Sequence, residues 1–341
     1  MKKIFLVFLL IGSLGITGCE DAARKDWNAY EKGDYADSVL NMQGTVSGSL
    51  PVIGESGENF VNKINNTSDS MKFKFIDPGE LFPALDTFDA ISSGSIQSGW
   101  STSAYWAGKN RAFPLFASIP FYYSIDKYLD WMWNRGGYEI MNDVYKTYHF
   151  KGIPCSMITS EGFGWFLKPI NSSKDLVGLK MRFFGLGAKV MEKAGVSTQL
   201  LKGGDIYPAL ELGMIDATEF STPFIDVLLE FYEVAKYYYY PTWHNPFELI
   251  TLMINIDVWE SLTDKEQVLI INTCKANIEY HLNIQKDLIS ESLEEIKKEG
   301  VIISEIPLSI EKALKQAWNE VLIEERKDIT FNRVWLSLMK Q

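Results

Sequence analysis

Arg182 stands alone in an apolar run formed by Leu179, Met181, Phe183 and Phe184, and an arginine so placed needs an anion. Its planar guanidinium matches a carboxylate through two parallel hydrogen bonds, and apolar surroundings leave that pair little weakened by water. The anion is either a bound small carboxylate or an internal Asp or Glu, because an unpaired buried charge is costly. Glu161 interrupts a second apolar run, Ile153 to Phe166, beside Gly162; there it is a ligand group or a cap. Tyr105 lies in the stretch from Trp100 to Lys109, where hydroxyls, small residues and aromatics mix as in a loop after a strand. Sheets of α/β proteins meet their ligands at such loops, although core packing is the commoner fate of an aromatic.

These residues need elements to position them. Gly178 to Gly187 reads as a short strand ending in a glycine turn that opens a helix. Strands are expected at Ser38 to Met42, at Met71 to Ile76 with Lys72 and Lys74 on the wetter face, and at Leu249 to Ile256, with a helix carrying Phe60, Val61 and Ile64. Gly79 to Asp86 matches Gly204 to Glu211 position by position in residue character, and each copy then reaches a glycine and an apolar strand. Two α/β lobes built alike are therefore expected. Thr263-Asp264-Lys265-Glu266 is a capping box. It opens a helical stretch to Lys298, with Val268, Ile271, Cys274, Ile278, Leu282, Ile289, Leu293 and Ile296 as its apolar residues and Gly300 as its stop. Such a helix is about 50 Å long, enough to brace two lobes. A strand from Val301 to Ile306 and two helices end the chain.

The 341 residues exceed what one core usually holds, which also points to two lobes. Basic residues number 33 against 44 acidic ones, and neither end carries a basic block, so nucleic acid is excluded as a partner. Lys2 and Lys3 precede an apolar run too short to span a bilayer, and Ile16-Thr17-Gly18-Cys19 closes it in the form of a bacterial lipoprotein signal. Cys19 is then the lipidated residue; in an ordinary cleaved signal it would be incidental. Residues 20 to 35 read as a polar tether. Cys155 and Cys274 are too few for a disulfide framework, and their spacing leaves open whether they pair or stay free.

Tyr105-Trp106-Ala107-Gly108-Lys109, Gly164-Trp165-Phe166, Gly178-Leu179-Lys180-Met181-Arg182, Gly203-Gly204, Gly213 to Phe220, Tyr237 to Pro246 and Asn255 to Leu262 follow one another in an order that resembles the solute-binding subunits of TRAP (tripartite ATP-independent periplasmic) transporters. The branch it is most similar to binds 2-oxo and 2-hydroxy monocarboxylates. The resemblance implies a two-lobed α/β periplasmic solute-binding protein fold with a long helix spanning both lobes, closing on a small carboxylate for delivery to a membrane permease. The expected division is residues 1–18 signal, 19–36 tether, 37–162 plus about 247–275 one lobe, 163–246 plus about 300–341 the other, and 263–299 the connecting helix. The lobes should hinge near Gly162 to Phe166 and Phe247 to Leu252. The resemblance also allows a homodimer through C-terminal helices.

The family's arginine falls on Arg182, its metal-binding carboxylate on Glu219 and the aromatic that follows on Phe220, more often tryptophan in the family. Glu161 stands where the branch usually has glutamine, and Asn245 where it has a longer acid or amide. Arg182, Tyr105, Glu161, Phe220 and Asn245 are thus expected around the substrate, and Glu219, Phe220, Glu161 and Asn245 around a metal. Glutamate at 161 adds a negative charge to a closed site, which favours calcium over sodium as the cation, sodium being possible. The competing reading is a secreted hydrolase with Glu161 and Glu219 as an acid and base pair. The three histidines, His149, His244 and His281, have no metalloprotease spacing, and an arginine beside two glutamates suits recognition better than hydrolysis.

Overall fold

The computed structural model describes residues 39–340. The signal expected at 1–18, Cys19 and the tether expected at 19–36 lie outside the described residues. Among those described, no helix is long and apolar enough to cross a membrane.

Among the described residues, eleven strands form two sheets. In chain order they are β1 (Val39–Gly44), β2 (Lys72–Ile76), β3 (Ser98–Ser101), β4 (Phe150–Ile158), β5 (Gly164–Phe166), β6 (Lys180–Arg182), β7 (Ser197–Gln199), β8 (Ala217–Thr218), β9 (Tyr237–Tyr239), β10 (Glu248–Asn255) and β11 (Ile302–Ser304). The first sheet runs β2-β1-β3-β10-β4 and the second β11-β9-β5-β8-β6-β7. The expected two-lobed α/β architecture is therefore present. β2, β1 and β3 are mutually parallel, and β10 joins them antiparallel. β7, β6 and β8 repeat that parallel trio, and β5 joins antiparallel. Each trio is laid down centre strand, edge strand, then the far side of the centre, so the lobes are built alike.

The octet that suggested this repeat is offset from it. The helices Thr87–Ser92 and Ile206–Glu211 both end two residues before a left-handed glycine, Gly94 and Gly213. Residues 204–211 run into the second helix itself, whereas 79–83 form the irregular lead-in to the first. Topology repeats; the residue match does not superpose on it.

Lys72 and Lys74 take the wetter face of β2 while Phe73 and Phe75 are buried, as period-two alternation requires. The Thr263 and Glu266 capping box starts a 35-residue helix, Asp264–Lys298, about 52 Å long at 1.5 Å per residue. It lies against β4 and helix Glu55–Thr67 of the first lobe and helix Pro223–Leu228 of the second. Its buried face is more polar than the expected apolar stripe. Val268 is exposed, and Ile270, Asn277, His281 and Gln285 are buried in its stead. Asn277 Nδ2 donates to the carbonyls of Ser56 and Cys155, both at 2.9 Å, and Gln285 Nε2 to that of Met157 at 3.0 Å. Buried polar side chains are thereby satisfied at the helix–sheet seam.

Near the C-terminus, helix Leu308–Glu325 packs on helix Gly185–Lys193, with Lys189 Nζ 2.7 Å from Glu325 Oε1. The last helix, Ile329–Leu338, crosses to the first lobe, where Ser337 Oγ accepts from Trp131 Nε1 at 3.1 Å.

Cys155 in β4 and Cys274 in the long helix are joined by a disulfide across 119 residues, the outcome that spacing left open. Cross-linking a loop of this length restricts the unfolded chain by about 2–5 kcal/mol. The double variant Cys155→Ala with Cys274→Ala should lose stability of that order in denaturant titrations. No change in midpoint would mean that the bond constrains nothing.

Candidate functional site

β6 and β8 lie side by side in parallel with Arg182 opposite Thr218. That register sets Arg182 and Glu219 together at the carboxyl end of the second sheet. Arg182 Nη1 donates to Glu219 Oε1 at 2.6 Å and to the Glu219 carbonyl at 2.8 Å, and Nε donates to the Leu201 carbonyl at 3.2 Å. Of the two anions that the sequence allowed, the internal carboxylate is thus present. With Nη1 and Nε so engaged, a bound carboxylate would not meet a full free edge of the fork. Phe184 and Phe220 present their rings to the guanidinium, at 5.0 and 5.2 Å, an arrangement worth more when desolvated. Burial works against the charge on Arg182, but Glu219 and its neighbours outweigh it and the guanidinium's pKa is raised.

Two segments cross between the sheets here, one from β4 to β5 and one from β9 to β10. The first carries Glu161 and the second carries His244 and Asn245. They are stitched together, with Thr242 N donating to the Glu161 carbonyl at 3.1 Å and Asn245 Nδ2 to Glu161 Oε2 at 2.9 Å. From the first sheet come Thr102 and Tyr105, just past β3. Tyr105 is half-buried, packs 5.0 Å from the Phe184 ring and faces Arg182; burial pushes its hydroxyl pKa up.

All six residues singled out from the sequence are therefore brought to one place, where the lobes meet. The structure adds three that pattern reading passed over. Glu248 opens β10 and accepts from Thr102 Oγ1 at 2.7 Å. Asp226 is buried in helix Pro223–Leu228 and accepts from Trp165 Nε1 at 2.9 Å. His244 Nε2 lies 3.8 Å from Glu161 Oε2 and 3.8 Å from Glu219 Oε2. Its position next to Asn245 was the only signal in the sequence.

Four buried carboxyl groups, Glu161, Glu219, Glu248 and Asp226, thus gather around this site, where Arg182 pairs with Glu219. Burial raises Glu161 well above the usual carboxylate range, and the charges of Glu248 and Glu219 add to it. Burial likewise pushes Glu248 to about 7 and Asp226 to about 8. Glu161 Oε1, Glu219 Oε2 and His244 Nε2 are buried without a hydrogen-bond partner. Glu161, Glu219 and His244 each offer a ligand atom, all within 4.8 Å of one another. Orphaned polar atoms on three neighbouring ligating groups fit a cation.

Residues 43–328 match the model of a protein family described as bacterial extracellular solute-binding protein, family 7, DctP. The chain belongs to this family. Its members are solute receptors rather than enzymes. This receptor is 32% identical over 268 residues, 77% of this chain and 73% of the other, to a monocarboxylate 2-oxoacid-binding periplasmic protein of a Nostoc species. Its fold matches a TRAP periplasmic solute-binding protein of Pseudoalteromonas atlantica with bound sodium and pyruvate, with TM-score 0.85 and 28% identity over 89% of this chain and 93% of that one. It also matches one of Colwellia psychrerythraea with bound calcium and pyruvate, with TM-score 0.84 and 30% identity over the same shares.

The raised carboxyl pKa values fix the sign of a pH effect. Glu248 at about 7 and Asp226 at about 8 hold protons in the folded receptor where the unfolded chain, near 4.5 and 3.8, has lost them. The folded state then binds more protons than the unfolded one, so stability falls as pH rises through that window. Without added cation, the thermal midpoint should be lower at about pH 8.5 than at about pH 5. A flat or rising midpoint would exclude the assignment.

Proposed function

We propose that this chain captures a small 2-oxo or 2-hydroxy carboxylate together with a metal cation and delivers it to a TRAP permease. The observation that carries the reading is the excess of buried carboxyl groups over the single guanidinium where the lobes meet. A bound carboxylate adds one more negative charge to this water-poor site, and a cation offsets it. The two pyruvate-bound relatives hold sodium in one case and calcium in the other. Glu161 tips the choice toward calcium, since one guanidinium plus one monovalent ion leaves the site a charge short when Glu161 is ionised.

In this reading Arg182 and Tyr105 meet the ligand carboxylate, Phe220 walls the site, and Glu219 and Glu161 bind the cation. Asn245 positions Glu161 through its amide. Glu161 and Glu219 are binding groups, not the acid and base of a hydrolase. We divide the chain as residues 37–162 plus about 247–275 in one lobe and 163–246 plus about 300–341 in the other, with 263–299 as the connecting helix. The last helix, which reaches Trp131, ties the second lobe's tail to the first. Export with a lipid on Cys19, and pairing of two copies through the C-terminal helices, belong to the same proposal.

Two measurements test it. Arg182→Lys keeps the charge and loses the planar fork, so calorimetric affinity for the acid should fall about tenfold or more; unchanged affinity removes Arg182 from the ligand. Acid binding by the wild type should be tighter with calcium than with sodium or chelator, and Glu161→Gln should shift the preference to sodium. Equal affinity of the wild type in all three conditions would end the calcium assignment.

A further inference from the structure

Charge counting asks only for a divalent ion; the donor atoms narrow the choice. We infer that His244 Nε2 is itself a ligand of the cation, so that the site takes a first-row divalent ion of the zinc class more tightly than calcium or sodium. The inference rests on the receptor reading only in placing a cation between Glu161 and Glu219.

His244 is 2% exposed, and its Nε2 has no hydrogen-bond partner. At 3.8 Å from an oxygen of Glu161 and 3.8 Å from one of Glu219, it is beyond hydrogen-bond reach of either. Two atoms bonded to one zinc ion at about 2.1 Å lie at most about 4.2 Å apart. Both His244 separations fall inside that span and the three ligand atoms lie within 4.8 Å of one another, so a small rotation of one carboxylate lets a single ion meet all three groups.

The other side of the ring is already arranged for this role. Nδ1 contacts Thr242 Oγ1, which also accepts from the His244 backbone N–H at 3.2 Å. A proton on Nδ1 directed to Thr242 leaves the lone pair on Nε2 facing the two carboxylates, as ligating histidines are commonly held by a partner on the far nitrogen. Phe183 holds the ring edge-on at 4.5 Å, and Trp243 stands at 5.4 Å. An all-oxygen site suits calcium or sodium, whereas one imidazole with two carboxylates suits zinc and its neighbours.

The test uses the chelator-stripped protein with no acid present, titrated by calorimetry with zinc, calcium and sodium. Zinc should bind at one ion per chain and at least about tenfold more tightly than calcium, and His244→Asn should weaken zinc by about tenfold or more while changing calcium far less. Equal zinc and calcium affinities, or unchanged zinc affinity in His244→Asn, overturn the inference. If that variant fails to fold, X-ray absorption of the zinc-loaded wild type decides: imidazole scattering supports the ligand, and an all-oxygen shell removes it. Should no carboxylate bind with any metal, the receptor reading fails while this titration still stands or falls alone.

Discussion

Everything at the meeting of the lobes depends on one buried ion pair, Arg182 with Glu219, at 2.6 Å and shielded from water on both partners. Such a pair is a poor stability device, because desolvating two charges costs several kcal/mol each and their attraction roughly offsets it. Its value lies in what it fixes. With Nη1 committed to Glu219 and Nε to the Leu201 carbonyl, the guanidinium cannot swing, and Glu219 is held with one oxygen turned away toward Glu161 and His244. Phe184 and Phe220 keep water from the faces of the fork. A Cβ at Gly203 would stand 3.0 Å from the Phe220 ring, so a larger residue there would have to push that ring aside by a few tenths of an ångström.

Fixing that one pair makes the remaining acids the variable part of the site. Glu161 and Glu248 arrive from the crossing segments and from β10 rather than from the sheet that holds Arg182. Ionised together they repel Glu219 and one another, and the raised positions of Glu161 and Glu248 record that repulsion on top of burial. A shared cation changes the sign of the interaction. Glu161 and His244 sit on the crossing segments β4 to β5 and β9 to β10, so a cation held between them and Glu219 would tie both segments to the second sheet.

How much of this could be read from the sequence follows from where each signal resides. Arg182 was legible because a charge in an apolar strand violates local pattern, and the 35-residue helix because its capping box and stop glycine are local chemistry. Glu248 and Asp226 were not. Each sits in an otherwise apolar stretch as a single acid, the pattern that made Arg182 conspicuous, but a lone acid at an element's start or inside a short helix has the cap as its ordinary explanation. His244 was hidden among aromatics, and its nearness to Glu161, 83 residues earlier, is tertiary. The helix stripe failed for a related reason. Periodicity counts apolar residues, whereas the long helix uses Asn277 and Gln285 to satisfy carbonyls of β4, and Val268 is left in solvent. Cys155 and Cys274 could not be paired by spacing because the sheet–helix seam that joins them did not yet exist.

That seam also ties the long helix to the first sheet. It is fastened to β4 by the disulfide, by Asn277 on the Cys155 carbonyl and by Gln285 on the Met157 carbonyl. Gln285 Oε1 also accepts from Thr159 N at 2.8 Å and from its hydroxyl at 3.1 Å. Thr159 is the first residue after β4 and stands two positions before Glu161. The fastening therefore continues to the root of the crossing segment and stops there. A helix so anchored is built onto the first sheet, and the second lobe meets it along helix Pro223–Leu228. Glu161 lies two residues beyond Thr159, and there the hold passes to the other crossing segment, with Thr242 N donating to the Glu161 carbonyl at 3.1 Å and Asn245 Nδ2 to its Oε2 at 2.9 Å.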